Sequence, residues 1–159
     1  MGSMSRQANV NSSSIFSNEK LNNFEANCNG FILRGHTGAI TCLSICYDSF
    51  YFISGSSDCQ IRLWTVRGGD CLAMFNMHMA PIWDVCLCPK GYFFASGGAD
   101  KQVFLWCTNK SSPLRYFQGH TEEIVQVGFT KNMIYLISAS RDHSLRIWKI
   151  KEPVMVRIF

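Results

Sequence analysis

Trp64, Trp106 and Trp148 stand 42 residues apart, and His36, His78 and His120 keep the same step. Asp58, Asp100 and Asp142 keep it too, as do Ser54, Ser96 and Ser138. One unit has been copied three times without insertion, so the fold must be one that stacks identical modules. That requirement excludes most enzyme scaffolds before any chemistry is considered.

Each unit reads as short strands. Ile40-Thr-Cys-Leu-Ser-Ile45 alternates with a period of two, and Phe50-Tyr-Phe-Ile53 is a dense aromatic and β-branched run. Gly55-Ser-Ser-Asp58 is a turn cluster, Gln60-Ile-Arg-Leu-Trp64 alternates again, and Cys71-Leu-Ala-Met-Phe75 forms a fourth strand. Large residues occupy both faces of these strands, which suits a sheet sandwiched between two others. Four strands per ~40–45 residues, with Gly-His and Trp markers, predict an all-β chain built of β-propeller blades. The repeats span about 31–75, 76–117 and 118–159, preceded by a leading strand at Phe31-Ile-Leu-Arg34. Residues 1–30 are rich in Asn and Ser and are expected to be a disordered lead-in. Met1-Gly2-Ser3 reads as an added tag before a native start at Met4.

Composition narrows the function classes. The apolar share is 47%, the charged share 16% and the net charge +4, a balance that suits a packed globular protein. There is no dense Lys/Arg run, so direct nucleic-acid binding is not expected. No apolar stretch approaches the ~18 residues that span a bilayer, and no signal-peptide pattern opens the chain. The eight cysteines are therefore expected to be reduced. Cys86-x-Cys88 has no second pair to complete a zinc set, so no metal or other cofactor is expected.

Leu33-Arg-Gly-His36, Ser54-Gly-Ser-Ser-Asp58 and Ile61-Arg-Leu-Trp64, with their copies at 42-residue steps, resemble the WD-repeat family. The pattern departs from it where Thr65, Cys107 and Lys149 follow the tryptophans, and where Asn76-Met77-His78 lacks the Gly of the Gly-His pair. A narrower resemblance lies in the middle repeat. Pro81-Ile-Trp-Asp-Val85, Gly91-Tyr-Phe-Phe-Ala-Ser-Gly-Gly98 and Pro113-Leu-Arg115 look like the fifth TBP-associated subunit of TFIID and its paralogue in SAGA-type coactivators. That resemblance implies a nuclear scaffold in RNA polymerase II transcription, with transcription-complex subunits as partners. The rival reading is a WD-repeat adaptor or substrate receptor of a ubiquitin ligase or signalling complex, with a cytoplasmic location as the alternative. Trp64-Thr-Val-Arg67 is a weak match to an adaptor-docking box, since it lacks the usual aspartate.

A His, a Ser and an Asp in every unit also spell a hydrolytic triad. A nucleophilic serine needs an exposed oxygen beside an oxyanion hole, and three equivalent copies with a Trp attached do not suit that task. The WD-repeat resemblance implies structural tetrads instead: His36, Ser54, Asp58 and Trp64; His78, Ser96, Asp100 and Trp106; and His120, Ser138, Asp142 and Trp148. Buried polar groups of this kind must find partners or cost about 1–3 kcal/mol each. His143 falls outside the set and reads as a surface turn residue.

Propellers of this family bind partners through loops at one end. The loops after the histidines and the residue before the turn aspartate Asp142 place Met79, Trp83, Glu122, Glu123 and Arg141 there as candidate partner-binding residues, with Trp83 readable either as an anchor or as core. Closed propellers need about four blades or more, so an arc of three leaves apolar faces open. The chain stops in phase at Phe159. The favoured expectation is a piece of a longer propeller. Self-association into a six-bladed ring, or completion by a partner's blades, are the alternatives.

Overall fold

The computed structural model describes residues 32–152 and 154–159. The expected lead-in at 1–30 therefore lies outside the described residues. Among these, twelve strands are arranged as three four-stranded antiparallel sheets. The first blade contains β1 (Ile40–Ile45), β2 (Tyr51–Ser56), β3 (Ile61–Thr65) and β4 (Cys71–Phe75). The second contains β5 (Ile82–Leu87), β6 (Phe93–Gly98), β7 (Val103–Cys107) and β8 (Arg115–Phe117). The third contains β9 (Ile124–Phe129), β10 (Tyr135–Ser140), β11 (Leu145–Lys149) and β12 (Met155–Ile158). Each blade pairs its strands in chain order, and β1, β5 and β9 lie side by side as the inner strands.

Of the expected leading strand, Phe31 lies outside the described residues and Ile32–Arg34 form no strand. Residues 32–36 are irregular and pair with no strand among the described residues. An outermost strand needs the other strands of its own blade to bond to, and among the described residues no such neighbour lies beside this segment. A strand's backbone groups gain nothing from extension without a partner.

Turn chemistry repeats as faithfully as the strands. Ser49, Gly91 and Met133 have φ of 58°, 75° and 57° in the turns joining the first and second strands of each blade. Cys59, Lys101 and His143, with φ of 66°, 66° and 65°, occupy the left-handed position between the second and third strands. His143 is thus an exposed turn residue. Each inner strand carries a bulge at the same place, between Ile40 and Cys42, between Ile82 and Asp84, and opposite Ala139/Ser140. The extra residue is Thr41, Trp83 or Val125. A bulge re-aims its side chain away from the regular alternation, and this one turns Trp83 toward the neighbouring blade.

The blades pack face to face. Ile53, Ile61 and Leu63 of the first meet Ile82, Val85, Phe94 and Trp106 of the second. Ala95, Val103 and Leu105 of the second meet Ile124, Val127, Leu136 and Trp148 of the third. The middle blade is apolar and buried on both sides, as its sequence requires. The outer two are not. Ile82, Val85 and Leu87 are 0%, 3% and 8% exposed, whereas the equivalent Ile40, Leu43 and Ile45 are 58%, 60% and 58% exposed. On the far side of the third blade Leu145 is 48% exposed, against 0% for its counterpart Ile61. Each open face lacks burial that the internal junctions gain at about 25 cal/mol per Å².

One substitution pair in the middle blade explains a departure from the repeat. A Cβ on Gly35 would lie 2.3 Å from the Arg62 guanidinium, and one on Gly119 would lie 2.1 Å from that of Arg146. Gly119 also has φ of 151°. In the middle blade Met77 replaces this glycine, and Phe104 stands where Arg62 and Arg146 stand in the others. Phe104 packs edge-on against His78, with ring centroids 4.7 Å apart. The glycine is needed where an arginine crosses the backbone, and it is dispensable where a phenyl ring replaces the arginine.

Candidate functional site

The structure brings the four sequence-predicted residues together in every blade. In the first, His36 Nδ1 lies 2.9 Å from Asp58 Oδ2 and His36 Nε2 lies 2.7 Å from Ser54 Oγ, while Trp64 Nε1–H donates to Ser54 Oγ at 2.8 Å. The corresponding distances around His78 are 2.7, 2.8 and 2.8 Å. Around His120 all three are 2.8 Å. The partners assign the tautomer. The carboxylate can only accept, so Nδ1 carries the proton, and Nε2 accepts from the serine O–H.

The carboxylates also organise the loops. Asp58 Oδ2 accepts the Thr37 amide at 2.9 Å and Oδ1 accepts the Gln60 amide at 2.9 Å. Asp100 takes the amides of Met79 and Gln102, and Asp142 takes those of Thr121 and Ser144. Burial pushes the Asp58 carboxyl up, but the Gln60 and Thr37 amides and the His36 imidazole outweigh it and bring its pKa from 3.8 to about 2. The same balance holds Asp100 and Asp142 below the ordinary carboxylate range. Burial lowers the His120 pKa despite the opposing pull of Asp142.

The connectivity Asp–His–Ser is that of a hydrolase, but the surroundings are not. Ser96 and Ser138 are fully buried and Ser54 nearly so, and each oxygen also accepts an indole N–H. Ser54, His36 and Trp64 of the first network border a space of about 400 Å³ that also touches Ile40, Leu43 and Phe52. That space is the open face of the first blade. At the other two networks the preceding blade fills it.

The five candidate partner-binding residues lie around the same end, and the structure divides them. Trp83 is half-buried and donates its indole N–H to Glu123 Oε2 at 3.0 Å. Arg141 Nε lies 3.6 Å from the same oxygen, and the Arg141 amide bonds the Glu123 carbonyl at 2.9 Å. Trp83, Glu123 and Arg141 therefore form one cluster across the second and third blades. Glu122 pairs instead with Lys101, 3.6 Å away, and Lys101 also bonds the Thr121 carbonyl at 2.7 Å. Met79 stands clear of both groups, 91% exposed beside the second network.

Sequence reasoning missed several bonds between blades, among them the following. Asp84 Oδ2 accepts the Val127 amide at 2.8 Å, Ser44 Oγ accepts the Leu87 amide at 3.0 Å, and Tyr51 O–H donates to the Gly91 carbonyl at 2.7 Å. Burial raises the Asp84 pKa against the opposing effect of the Val127 and Val85 amides. An aspartate inside an apolar strand, where the other units have Cys42 and Gln126, was the available signal.

The family model for the WD domain, G-beta repeat matches residues 27–65, 69–107 and 111–149. This chain belongs to the WD-repeat family. Over 57 residues, 36% of this chain and 13% of the relative, it is 37% identical to WD repeat-containing protein 18 of Bos taurus. It is likewise 37% identical over 49 residues, 31% of this chain and 6% of the relative, to F-box and WD repeat domain containing protein 10B of Homo sapiens. The solved structure of U3-55K superposes with a TM-score of 0.76 at 28% identity, covering 80% of this chain and 41% of that one. The matched part is thus a small share of each curated WD-repeat relative and less than half of the U3-55K chain. No helix among the described residues is long and apolar enough to cross a membrane.

Proposed function

We propose that this chain is a non-catalytic protein-interaction scaffold whose His–Ser–Asp–Trp networks are structural. The observation that carries this reading is the state of the serines: each is buried and its oxygen is held by a histidine and an indole N–H at once. Chemistry would require that oxygen to be free to approach a substrate. The end that bears the networks instead presents side chains suited to a protein partner, among them the exposed Met79 and the Trp83–Glu123–Arg141 cluster.

Within that class, the resemblance of the middle repeat supports a nuclear role as a subunit of a TFIID- or SAGA-like complex. A second reading, a ubiquitin-ligase adaptor, is favoured by the similarity to a protein that carries an F-box beside its WD repeats. Affinity purification of the full chain with mass spectrometry separates them. Recovery of TFIID or SAGA subunits supports the first, and recovery of cullin-ligase components without them supports the second. Hydrolysis of a model ester that is lost in Ser54→Ala would overturn the non-catalytic reading altogether.

A further inference from the structure

At the end opposite the histidines, the junction of the second and third blades opens into a groove of about 750 Å³. The junction of the first and second blades, built from the same repeat, is bridged at this place. There the Tyr51 hydroxyl bonds the Gly91 carbonyl, and the glycine lets it in, since a Cβ would sit 2.0 Å from that oxygen. One repeat later Phe93 stands in place of Tyr51 and Met133 in place of Gly91. The hydroxyl is gone and a side chain occupies the position where it would have to pass, so the two blades do not latch and the space stays open.

The same step in the sequence changes the charge. Lys90 replaces Asp48, Arg115 replaces Ala73, Lys131 replaces Pro89 and Lys151 replaces Asn109. All four cations line the groove, and none of its lining residues is acidic. None of the four takes part in an ion pair among the described residues. The nearest acidic neighbour in sequence, Glu152, is engaged by Lys149 at 3.1 Å. Between the cations the floor is apolar, formed chiefly by Phe93, Leu105, Leu114, Met133 and Ile150.

We propose that this groove binds an acidic peptide segment of a partner protein that carries large apolar side chains. Four unpaired cations above an apolar floor supply the two complementary features such a segment needs: charge for steering and register, and a desolvated pocket for an anchor. A nucleic acid would be served by aromatic platforms along a charged track, whereas this floor is mainly aliphatic. The site stands apart from the reading of the histidine end and does not depend on it.

The test is selection of a displayed library of short random peptides on the full chain, followed by fluorescence anisotropy of the best synthetic binder. Enrichment of Asp and Glu together with Leu, Ile or Phe is expected. Lys90→Glu with Lys131→Glu, on exposed turns, should weaken the binder at least about tenfold. Phe93→Tyr with Met133→Gly rebuilds the latch of the first junction and should weaken it similarly without lowering the unfolding midpoint. Absence of acidic-apolar enrichment, binding untouched by the charge reversals, or displacement by a single-stranded oligonucleotide with equal affinity would each overturn the proposal. If the latch variant fails to fold, the charge reversals decide alone.

Discussion

Replacing Ser96 with Ala removes one oxygen and nothing else from the middle blade. That oxygen satisfies two buried groups, accepting the Trp106 indole N–H at 2.8 Å and donating to His78 Nε2 at 2.8 Å. Trp106 and Ser96 are both 0% exposed and His78 is 7% exposed, so the place of the hydroxyl is far less accessible to water than in the first blade. Each of the two stranded groups costs about 1–3 kcal/mol, giving a loss of about 2–6 kcal/mol. Against a total stability of about 5–15 kcal/mol for an ordinary domain, that is a large share. Ser54→Ala breaks the same bonds in the first blade, but its network borders the open cavity of about 400 Å³. Water can enter there and bond His36 and Trp64, so the loss should be only about 1–2 kcal/mol. Urea unfolding of both variants, followed by tryptophan fluorescence and compared at equal m-values, measures the difference. Equal losses, or a larger one for Ser54→Ala, would refute the claim that burial by the neighbouring blade sets the strength of each network.

Acidification should unfold the chain earlier than its ordinary carboxylates would. The Asp58 pKa is lower folded than unfolded, so its contribution of about 2 kcal/mol is complete above pH 4 and is lost as the pH falls toward 2. Asp100 and Asp142 act in the same direction, and so does His120 from pH 6.5 downward, while the raised Asp84 opposes them. Circular dichroism of the wild type and of Asp58→Asn across this range should show a shallower acid transition in the variant. Gly119→Ala, forced against the Arg146 guanidinium at φ of 151°, should cost about 1–3 kcal/mol. Gly128→Ala, with nothing within 4 Å of its new methyl, should be neutral or stabilising by up to about 1 kcal/mol; thermal melts of the two should move apart. Leu43→Lys, on the open face of the first blade, should raise the monomer fraction measured by light scattering without lowering the unfolding midpoint.

The strands and their turns were legible because each depends on a few consecutive residues. Alternation in Ile40–Ile45 and the turn cluster before Asp58 hold whether or not another blade is present. The leading strand failed as an expectation for the opposite reason. Ile32–Arg34 has strand-like composition, but a strand exists only when another bonds to it. Trp83 was ambiguous between anchor and core because alternation alone does not show a bulge, and the bulge is what turns the ring toward Glu123. Glu122 and Glu123 are neighbours in sequence and both candidate partner-binding residues, yet the fold gives one to Lys101 and the other to Trp83 and Arg141.

The sequence by itself determined the unit. The bonds within each network join residues 10, 18 and 22 apart, all inside one 42-residue repeat, so periodicity puts all four residues in one unit and the WD-repeat resemblance implies their bonding. Tertiary structure decided everything that lies between units. The Tyr51–Gly91 latch, the Trp83–Glu123 bond and the Asp84–Val127 bond join residues 40 to 43 apart. The open groove exists where one such bond is missing, and the exposed apolar faces exist where no neighbouring blade is packed among the described residues. A repeat states what each blade contains. Which of its surfaces is buried, latched or left open depends on the neighbour it meets, because burial and hydrogen bonding are properties of the pair rather than of the residue.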